Sequence, residues 1–404
     1  MTFARLRQLL IQRSQATSRR GFVRDGLLGL GIGALGLAAL SHDTDAHKRS
    51  RRKKRNRHQP RRKQGNSMPG TSGAAGGGGN SAGGGRLGAT NCDVCASNCP
   101  YATIQDAIDA ATADSTVVIC DGRYNENISI GKNLTLTAAA GAEVEIEGTG
   151  TTSVVTIQSG ATVTLQELEI TEGTGTQTGS GRYGGGILNS GTLMIAKMTI
   201  GRNSADRGGG IANSGKLTIS DSIIGGNRAQ LGAGIYNLTG GVLDLTAATQ
   251  ITDNAASSGG GGVYNEVGTV TINQSYIQRN TGSSDGGGVF NRGTLTLENG
   301  AVIDNNEAQN GGGAYNLGDV GAPRPTLTVT NSAISNNEAT ALGGGIFNQD
   351  GIVSLKGGTI FENTAKTLGG GIFTTDGGTV TLDTESAVIE NTPDNCIGTD
   401  ACPA

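Results

Sequence analysis

Glycine-rich units repeat along the C-terminal part of the chain, and apolar and polar positions alternate inside each unit. Each unit reads approximately as Gly-Gly-Gly-Ile-aromatic-Asn, a turn, Thr-Leu-Thr-Ile, a second turn and Ile-x-x-Asn. The units open at Gly184, Gly208, Gly232, Gly260, Gly286, Gly311, Gly343 and Gly369. Self-similarity at this period is typical of a solenoid.

Each unit contains three short segments with period-two alternation and no apolar pattern of helix length. In the middle segment the apolar pairs are Leu193/Ile195, Leu217/Ile219, Leu243/Leu245, Val270/Ile272, Leu295/Leu297, Leu327/Val329, Val353/Leu355 and Val380/Leu382. The strand face that carries these apolar pairs is therefore predicted to be buried, and the opposite face is predicted to be exposed to solvent. The pattern predicts an all-β fold, a right-handed parallel β-helix with three sheets around a narrow apolar core. Leucine-rich repeats are excluded, because the Leu-x-x-Leu-x-Leu spacing is missing.

Two columns of asparagine accompany the repeat. The first column contains Asn189, Asn213, Asn237, Asn265, Asn291, Asn316 and Asn348, and Thr374 interrupts it. The second contains Asn203, Asn227, Asn254, Asn280, Asn306, Asn337, Asn363 and Asn391. Asparagine tolerates left-handed turns, and stacked amides hydrogen-bond from coil to coil. We therefore interpret both columns as architecture.

Before the repeats, residues 103–111 place Ile104, Ala107, Ile108 and Ala111 on one face of a short helix. The open end of a solenoid exposes apolar core and unpaired strand edges. The pattern thus predicts an N-terminal capping helix, within a β-helix domain that spans residues 91–404.

The same region resembles a known family. The helix, the segment Val-Val-Ile-Cys-Asp-Gly-Arg-Tyr at 117–124 and the segment Lys-Asn-Leu-Thr-Leu at 132–136 resemble the cap and first coils of pectin-lyase-like β-helix proteins. The repeat units are similar to the polymorphic outer-membrane-protein type, although Ile often stands where that family has Phe. The resemblance covers about residues 100–391. It implies the fold and leaves the activity open, because this fold hosts lyases, esterases, hydrolases, adhesins and scaffolds.

The N-terminus has the features of an export signal. Residues 18–23 read Ser-Arg-Arg-Gly-Phe-Val, which resembles the twin-arginine export motif, and a weakly apolar stretch follows at 26–40. That stretch is too short to span a bilayer stably. We expect residues 1–46 to be a twin-arginine signal peptide that directs the chain to the extracellular space or cell surface. The alternative is an anchor that stays in the membrane.

Residues 47–90 form a basic and then Gly/Ser-rich segment. Residues 48–63 hold 11 Lys or Arg, and like-charge repulsion keeps such a run extended. The composition predicts a disordered arm. It is interpreted either as a contact with an anionic surface or as a solvated spacer. Specific nucleic-acid recognition is not predicted.

Charge is divided unevenly, and this restricts the chemistry. Residues 1–63 carry 17 of the 31 basic residues, whereas the remainder carries 31 of the 34 acidic ones. His42, His47 and His58 all lie in the basic part, which excludes His-dependent catalysis in the body. The esterase and polygalacturonase motifs of the resembling superfamily have no match. We predict no cofactor, no metal and no catalytic residue.

The nearest approach to a carboxylate site comes from aligning the units. Glu307 and Glu338 then occupy equivalent positions in adjacent coils, near Asp304 and Glu362. Carboxylates about 5 Å apart are suited to retaining-glycosidase chemistry or to calcium binding. The alternative is a solvent-exposed turn whose acidic residues do not form a site.

A column of aromatic residues is the candidate carbohydrate-binding site. It contains Tyr236, Tyr264, Phe290, Tyr315, Phe347 and Phe373, one in each of six successive coils. If the aliphatic neighbours face inward, the rings form an exposed stripe that can stack on sugars. The alternatives are a stripe that packs on itself or under a loop, or one that belongs to the core. Thr-x-Thr pairs, such as Thr269/Thr271, add an ice-binding hypothesis, which uneven coils weaken.

Six cysteines lie near the two ends of the β-helix domain. They are Cys92, Cys95, Cys99, Cys120, Cys396 and Cys402. An even number in an exported chain favours disulfides. The pairing Cys396–Cys402 is predicted, and the pairing of the other four is open, with a metal or iron–sulfur site as the rival.

These observations favour a secreted or cell-surface structural and binding protein. Its expected partner is a polysaccharide or a cell-envelope polymer, and its oligomeric state is not predicted. The alternative is a polysaccharide lyase or hydrolase of the pectin-lyase-like superfamily.

Overall fold

The computed structural model describes residues 92–179, 181–319 and 323–402. The predicted signal peptide and basic arm lie outside these residues. In the described part the chain winds as a right-handed parallel β-solenoid, as the alternating pattern predicts. No helix in the described ranges is long and apolar enough to cross a membrane.

The helix predicted near the start of the domain is present as α1, Ile104–Ala110. The Thr103 side chain accepts a hydrogen bond from the Asp106 N–H and so begins the helix. The Glu126 carboxylate accepts hydrogen bonds from the N–H groups of Ile104 and Gln105. Ile104, Ala107 and Ile108 are buried, as the pattern predicts, whereas Ala111 is the C-cap and is only partly buried.

Three parallel sheets of eleven strands each form the solenoid wall, and each strand pairs with its equivalent one coil further on. Sheet A contains Ser115–Ile119, Leu134–Ala138, Thr162–Gln166, Thr192–Ala196, Lys216–Ser220, Val242–Thr246, Thr269–Asn273, Thr294–Glu298, Thr326–Thr330, Ile352–Lys356 and Thr379–Leu382. Sheet B contains Gly122–Asn125, Val144–Glu147, Glu169–Thr171, Thr199–Gly201, Ile223–Gly225, Gln250–Thr252, Tyr276–Gln278, Val302–Asp304, Ala333–Ser335, Thr359–Phe361 and Ala387–Ile389. Sheet C contains Ile128–Ile130, Val155–Ile157, Ile187–Asn189, Ile211–Asn213, Ile235–Asn237, Val263–Asn265, Val289–Asn291, Ala314–Leu317, Ile346–Gln349, Ile372–Thr375 and Cys396–Ile397.

A fourth parallel sheet corrects the expectation of three. Sheet D lies between sheets B and C along the chain and contains Arg228–Leu231, Ala255–Gly259, Thr281–Asp285, Glu307–Asn310, Glu338–Leu342 and Thr364–Ala365. An antiparallel hairpin, Thr176–Thr178 with Gly181–Tyr183, occupies the corresponding part of an earlier coil. The sharp bend from sheet D to sheet C requires glycine: Gly260 has a φ of +66°, and a Cβ on Gly261 would lie 2.5 Å from the Gly287 carbonyl oxygen.

Aliphatic side chains from sheets A, B and C fill one continuous core. The asparagine columns line it as predicted, and their amides hydrogen-bond from coil to coil. For example, Asn213 Nδ2 donates to Asn237 Oδ1 at 2.8 Å, and Asn254 Nδ2 donates to Asn280 Oδ1 at 3.0 Å. The suggestion that the column asparagines adopt the left-handed turn conformation is wrong. The residue with positive φ is the one that precedes each asparagine of the second column, such as Asp253 before Asn254.

Candidate functional site: the aromatic ladder and the threonine face

The six aromatic residues of the predicted stripe face outward from successive strands of sheet C. Their chain neighbours, such as Val263 and Asn265, are fully buried on the inner side. In-register pairing places equivalent residues about 4.8 Å apart, which suits stacked rings. Consecutive centroids are 4.6 to 5.2 Å apart and the interplanar angles are 4 to 22°. We call this stack, Tyr236 to Phe373, the aromatic ladder.

The aromatic ladder is not an open platform. Its first five side chains are only 2 to 8% exposed. Each ring face inside the stack is covered by the next ring, and leucines of sheet D, Leu231 and Leu342, pack beside the stack. The expectation of exposed ring faces is therefore wrong for these residues. Of the two alternatives, packing of the stripe on itself is the one observed, outside the aliphatic core.

Polar side chains one coil further on lie near the tyrosine hydroxyls of the ladder. The Glu266 carboxylate lies near the hydroxyl of Tyr236, and the Arg292 guanidinium lies near the hydroxyl of Tyr264. Tyr315 Oη donates to Gln349 Oε1 at 2.5 Å. Burial, reinforced by the negative charge of Glu266, raises the pKa of Tyr236. Burial also raises the pKa values of Tyr264 and Tyr315, so these phenols stay neutral well above neutral pH.

Tyr183 extends the ladder at its N-terminal end, and the sequence pattern did not reveal it. Its ring meets that of Tyr236 edge-on, at a centroid distance of 6.1 Å and an angle of 80°. The Arg207 guanidinium lies 5.2 Å from the Tyr183 centroid and 6.0 Å from that of Tyr236. Tyr183 precedes the first triple glycine and belongs to the hairpin, so its position is out of phase with the repeat.

The carboxylates predicted to be neighbours are neighbours. Glu307 and Glu338 are register partners in adjacent strands of sheet D. Glu338 also forms an ion pair with Lys366 at 3.8 Å. The nearby Asp304 Oδ1 accepts hydrogen bonds from Ser335 at 2.9 Å and from Asn336 at 2.8 Å. Within the described residues, no group of three or more His, Cys, Asp or Glu side chains is arranged to hold a metal ion.

A second charged cluster, which the sequence reasoning missed, lies on the outer face of sheet B. The Glu145 carboxylate lies 2.8 Å from both Arg123 and Arg202 and accepts a hydrogen bond from Thr171. Arg202 also reaches Glu169 at 3.5 Å. These ion pairs join residues up to 57 positions apart in the chain. They connect successive coils and engage both guanidinium groups.

The outer face of sheet A carries two rows of threonine in register. The first row contains Thr162, Thr192, Thr269, Thr294, Thr326 and Thr379, and the second contains Thr116, Thr135, Thr164, Thr218, Thr271, Thr296, Thr328 and Thr381. All are partly or fully exposed. Met194, Lys216, Val242, Asp244, Ile352 and Ser354 interrupt the rows. The longest uninterrupted part is the three-coil patch of Thr269 to Thr328. We call both rows together the threonine face.

All six cysteines are paired in disulfides. Cys396–Cys402, the predicted pair, has a Cα–Cα distance of 6.0 Å. Cys92 pairs with Cys120 and Cys95 with Cys99, each at 5.5 Å, which settles the pairing left open by the sequence. The sulfurs proposed as metal ligands are therefore used in disulfides. Three disulfides are typical of a protein from an oxidising compartment.

The solenoid has similarities among solved structures. A deglycosylated pectin methylesterase from Aspergillus niger is 15% identical, with a TM-score of 0.42 over 61% of this chain and 86% of the esterase. Pectin methylesterase PemA from Erwinia chrysanthemi is also 15% identical, with a TM-score of 0.32 over 62% and 80%. No known family profile and no curated protein matches the sequence. At this level of similarity no residue role is transferred.

Proposed function

We propose that this chain is an exported structural and binding protein that holds an extracellular or cell-surface polysaccharide along its threonine face. In this proposal the twin-arginine leader directs export, α1 caps the N-terminal end of the solenoid, and the aromatic ladder stiffens its wall. The disulfides are consistent with this location.

The threonine face is the observation that carries the proposal. In the three-coil patch, hydroxyl groups repeat about every 4.8 Å along the solenoid axis, and each hydroxyl both donates and accepts hydrogen bonds. A polysaccharide is itself a repeating array of hydroxyls. Single contacts of this kind are weak, but contacts linked along one polymer strengthen each other.

The test compares matched valine variants in binding to insoluble polysaccharides. Valine has nearly the shape of threonine and favours strands, so Thr271→Val, Thr296→Val and Thr328→Val remove only hydroxyls. The control combines Thr281→Val, Thr340→Val and Thr364→Val, which lie exposed on sheet D. We expect the first triple variant to bind at least about tenfold more weakly and the control to bind normally. Equal losses, or no binding by the unaltered protein, would refute the proposal.

A polysaccharide-processing enzyme is the second candidate, favoured by the register pair Glu307 and Glu338. The two solved relatives above are pectin methylesterases, and retaining hydrolysis uses carboxyl groups about 5–5.5 Å apart. Incubation with pectin and other polyuronides should then release methanol, reducing ends or unsaturated ends. Release that disappears in Glu307→Gln and Glu338→Gln would favour the enzyme, whereas binding without product favours the first proposal.

A further inference from the structure

We propose that Tyr236 and Tyr264 form an oxidative cross-linking site, at which one-electron oxidation joins the two rings by a carbon–carbon bond. The product is a dityrosine that links two consecutive coils of the solenoid within one chain.

The geometry of this pair suits coupling. The strands pair Tyr236 directly with Tyr264, the ring centroids are 5.1 Å apart, and the planes differ by 15°. Glu266 and Arg292, which follow the asparagine of the first column in consecutive coils, lie near the hydroxyls of Tyr236 and Tyr264. In-register pairing starts both side chains from equivalent positions, so a tilt of one ring within the stack brings its ortho carbon to that of the other.

The pair is isolated from the other tyrosines of the ladder. Phe290 stacks between Tyr264 and Tyr315, with centroids 4.6 and 5.2 Å from them. A phenylalanine ring is much harder to oxidise than a phenol, so it does not share the radical. Tyr183 meets Tyr236 edge-on, so these two rings are not superposed. Among the tyrosines of the ladder, Tyr236 and Tyr264 are therefore the one pair whose rings stack directly on each other.

The surroundings favour oxidation of Tyr236 first. The Glu266 carboxylate lies near its hydroxyl and, in this proposal, accepts the phenolic proton as the electron leaves. The Tyr264 hydroxyl lies near the cationic guanidinium of Arg292, which is no proton acceptor. Both rings are nearly buried, at 2% and 8% exposure. An oxidant can remove an electron through the side chains that cover the rings. The same side chains prevent a tyrosine of another molecule from reaching these rings and coupling to them.

The reaction balances without a cofactor in the protein. Two equivalents of a one-electron oxidant, such as photogenerated tris(bipyridine)ruthenium(III), accept one electron from each ring. Tyr236 passes its proton to Glu266, and Tyr264 releases its proton to solvent. The two phenoxyl radicals join at their ortho carbons, and the ring hydrogens at these carbons move to the oxygens. The linked product has lost two hydrogens and is again a pair of phenols.

Photo-oxidation of the full-length chain tests the site. Dityrosine fluorescence is followed while the protein is diluted, and the product is mapped by mass spectrometry after cleavage at acidic residues. Asp244 and Asp253 lie between the two tyrosines, so this cleavage separates them unless they are cross-linked. We expect one linked peptide pair, lighter by two hydrogens, with a yield independent of protein concentration.

Phenylalanine variants supply the controls, because phenylalanine already occupies the ladder at Phe290 and Phe347. Tyr236→Phe and Tyr264→Phe should each abolish this cross-link, while Tyr315→Phe and Tyr276→Phe should leave it unchanged. Persistence of the product in either of the first two variants, absence of the product, or a yield that rises with concentration would overturn the proposal.

The proton acceptor is tested separately. Glu266→Gln should slow cross-linking severalfold at neutral pH without changing its position. An unchanged rate would overturn the role of Glu266 in the proposal.

Discussion

Substitution of Asn280 tests whether the asparagine columns hold the coils together. The side chain is fully buried in the second column. Its Oδ1 accepts hydrogen bonds from Asn254 N at 3.1 Å and from Asn254 Nδ2 at 3.0 Å. Its Nδ2 donates to Ile251 O at 2.9 Å and to Asn306 Oδ1 at 3.0 Å. Asn280→Ala removes all four.

The expected cost follows from these contacts. The side-chain amide of Asn254 keeps its bond to the Ile224 carbonyl, but the backbone N–H of Asn254 loses its acceptor. An unsatisfied buried group costs about 1–3 kcal/mol, and each other lost bond costs about 1 kcal/mol net. With one unsatisfied group and three other lost bonds, we expect Asn280→Ala to lower the free energy of unfolding of this region by about 4–6 kcal/mol. At about 1.4 kcal/mol per factor of ten, local opening becomes several hundredfold or more frequent.

Asn280→Asp gives a sharper test, because it keeps the shape and Oδ1 but replaces the donor by an oxygen. That oxygen faces the Ile251 carbonyl and Asn306 Oδ1, so the carboxyl must be protonated in the fold. Its folded pKa is therefore raised above the unfolded value of about 3.9. Stability relative to the unaltered protein is greatest below that pH and falls as pH rises towards the folded pKa. The loss in Asn280→Ala should not depend on pH.

The assay is urea unfolding followed by circular dichroism at several pH values, together with amide hydrogen exchange. Exchange is required because a solenoid opens locally as well as globally. Asn273→Ala is the matched control: Asn273 is partly exposed on sheet A and donates only to Glu298. Its cost should stay within about 0.5 kcal/mol. A loss below about 1 kcal/mol in Asn280→Ala, or the same pH dependence in both variants, would refute the reasoning.

Three further predictions concern the first asparagine column, the C-terminal disulfide and the ladder. Thr374 interrupts the first column, and its buried Oγ1 has no hydrogen-bond partner. Thr374→Asn restores the amide and should raise the free energy of unfolding by about 1 kcal/mol. An unchanged urea midpoint would contradict this. Replacing Cys396 and Cys402 by alanine should cost about 2 kcal/mol, with faster hydrogen exchange confined to the last coils; faster exchange throughout would contradict a local role. Burial raises the pKa values of Tyr236 and Tyr315 above the unfolded value, so their contribution to stability is fully present below about pH 10 and is lost as pH rises further. Replacing both by phenylalanine should shift alkaline unfolding, followed by phenolate absorbance, to higher pH; an unshifted transition would show that these phenols do not control it.

Sheets A, B and C could be predicted because their buried positions carry large aliphatic residues at period two. Leu295 and Leu297 are one such pair, both fully buried. Sheet D could not, because its inward positions are small: Ala256, Gly282 and Ala308 occupy them in successive strands. Such strands give no hydrophobic alternation. Their structure depends on pairing with the coils on either side, which one unit of sequence does not show.

The side on which the aromatic residues lie could be predicted, but their exposure could not. Alternation places Tyr264 opposite Val263, whichever residues surround them. Exposure depends on the rings above and below and on leucines such as Leu231, which comes from sheet D. Because sheet D was not predicted, neither was the cover that it provides. The pairing of the four N-terminal cysteines was open for a related reason, since it depends on the fold that brings Cys92 to Cys120.

Self-complementarity explains which residue types form long columns in this solenoid. In-register parallel strands place each side chain next to the equivalent side chain of the neighbouring coil. A column of identical residues is therefore stable only when two copies of that side chain attract each other. An amide both donates and accepts, and aromatic rings stack, so these columns extend over many coils. Carboxylates repel each other, and the pair Glu307 and Glu338 is followed by Thr364. In sheet B, Glu145 and Glu169 are adjacent only where Arg202 bridges them. In sheet D, Lys366 offsets the charge of Glu338 at 3.8 Å, so this acidic pair also has a counter-charge. The Glu307→Gln and Glu338→Gln variants therefore decide whether the pair has a catalytic role in addition to this structural one.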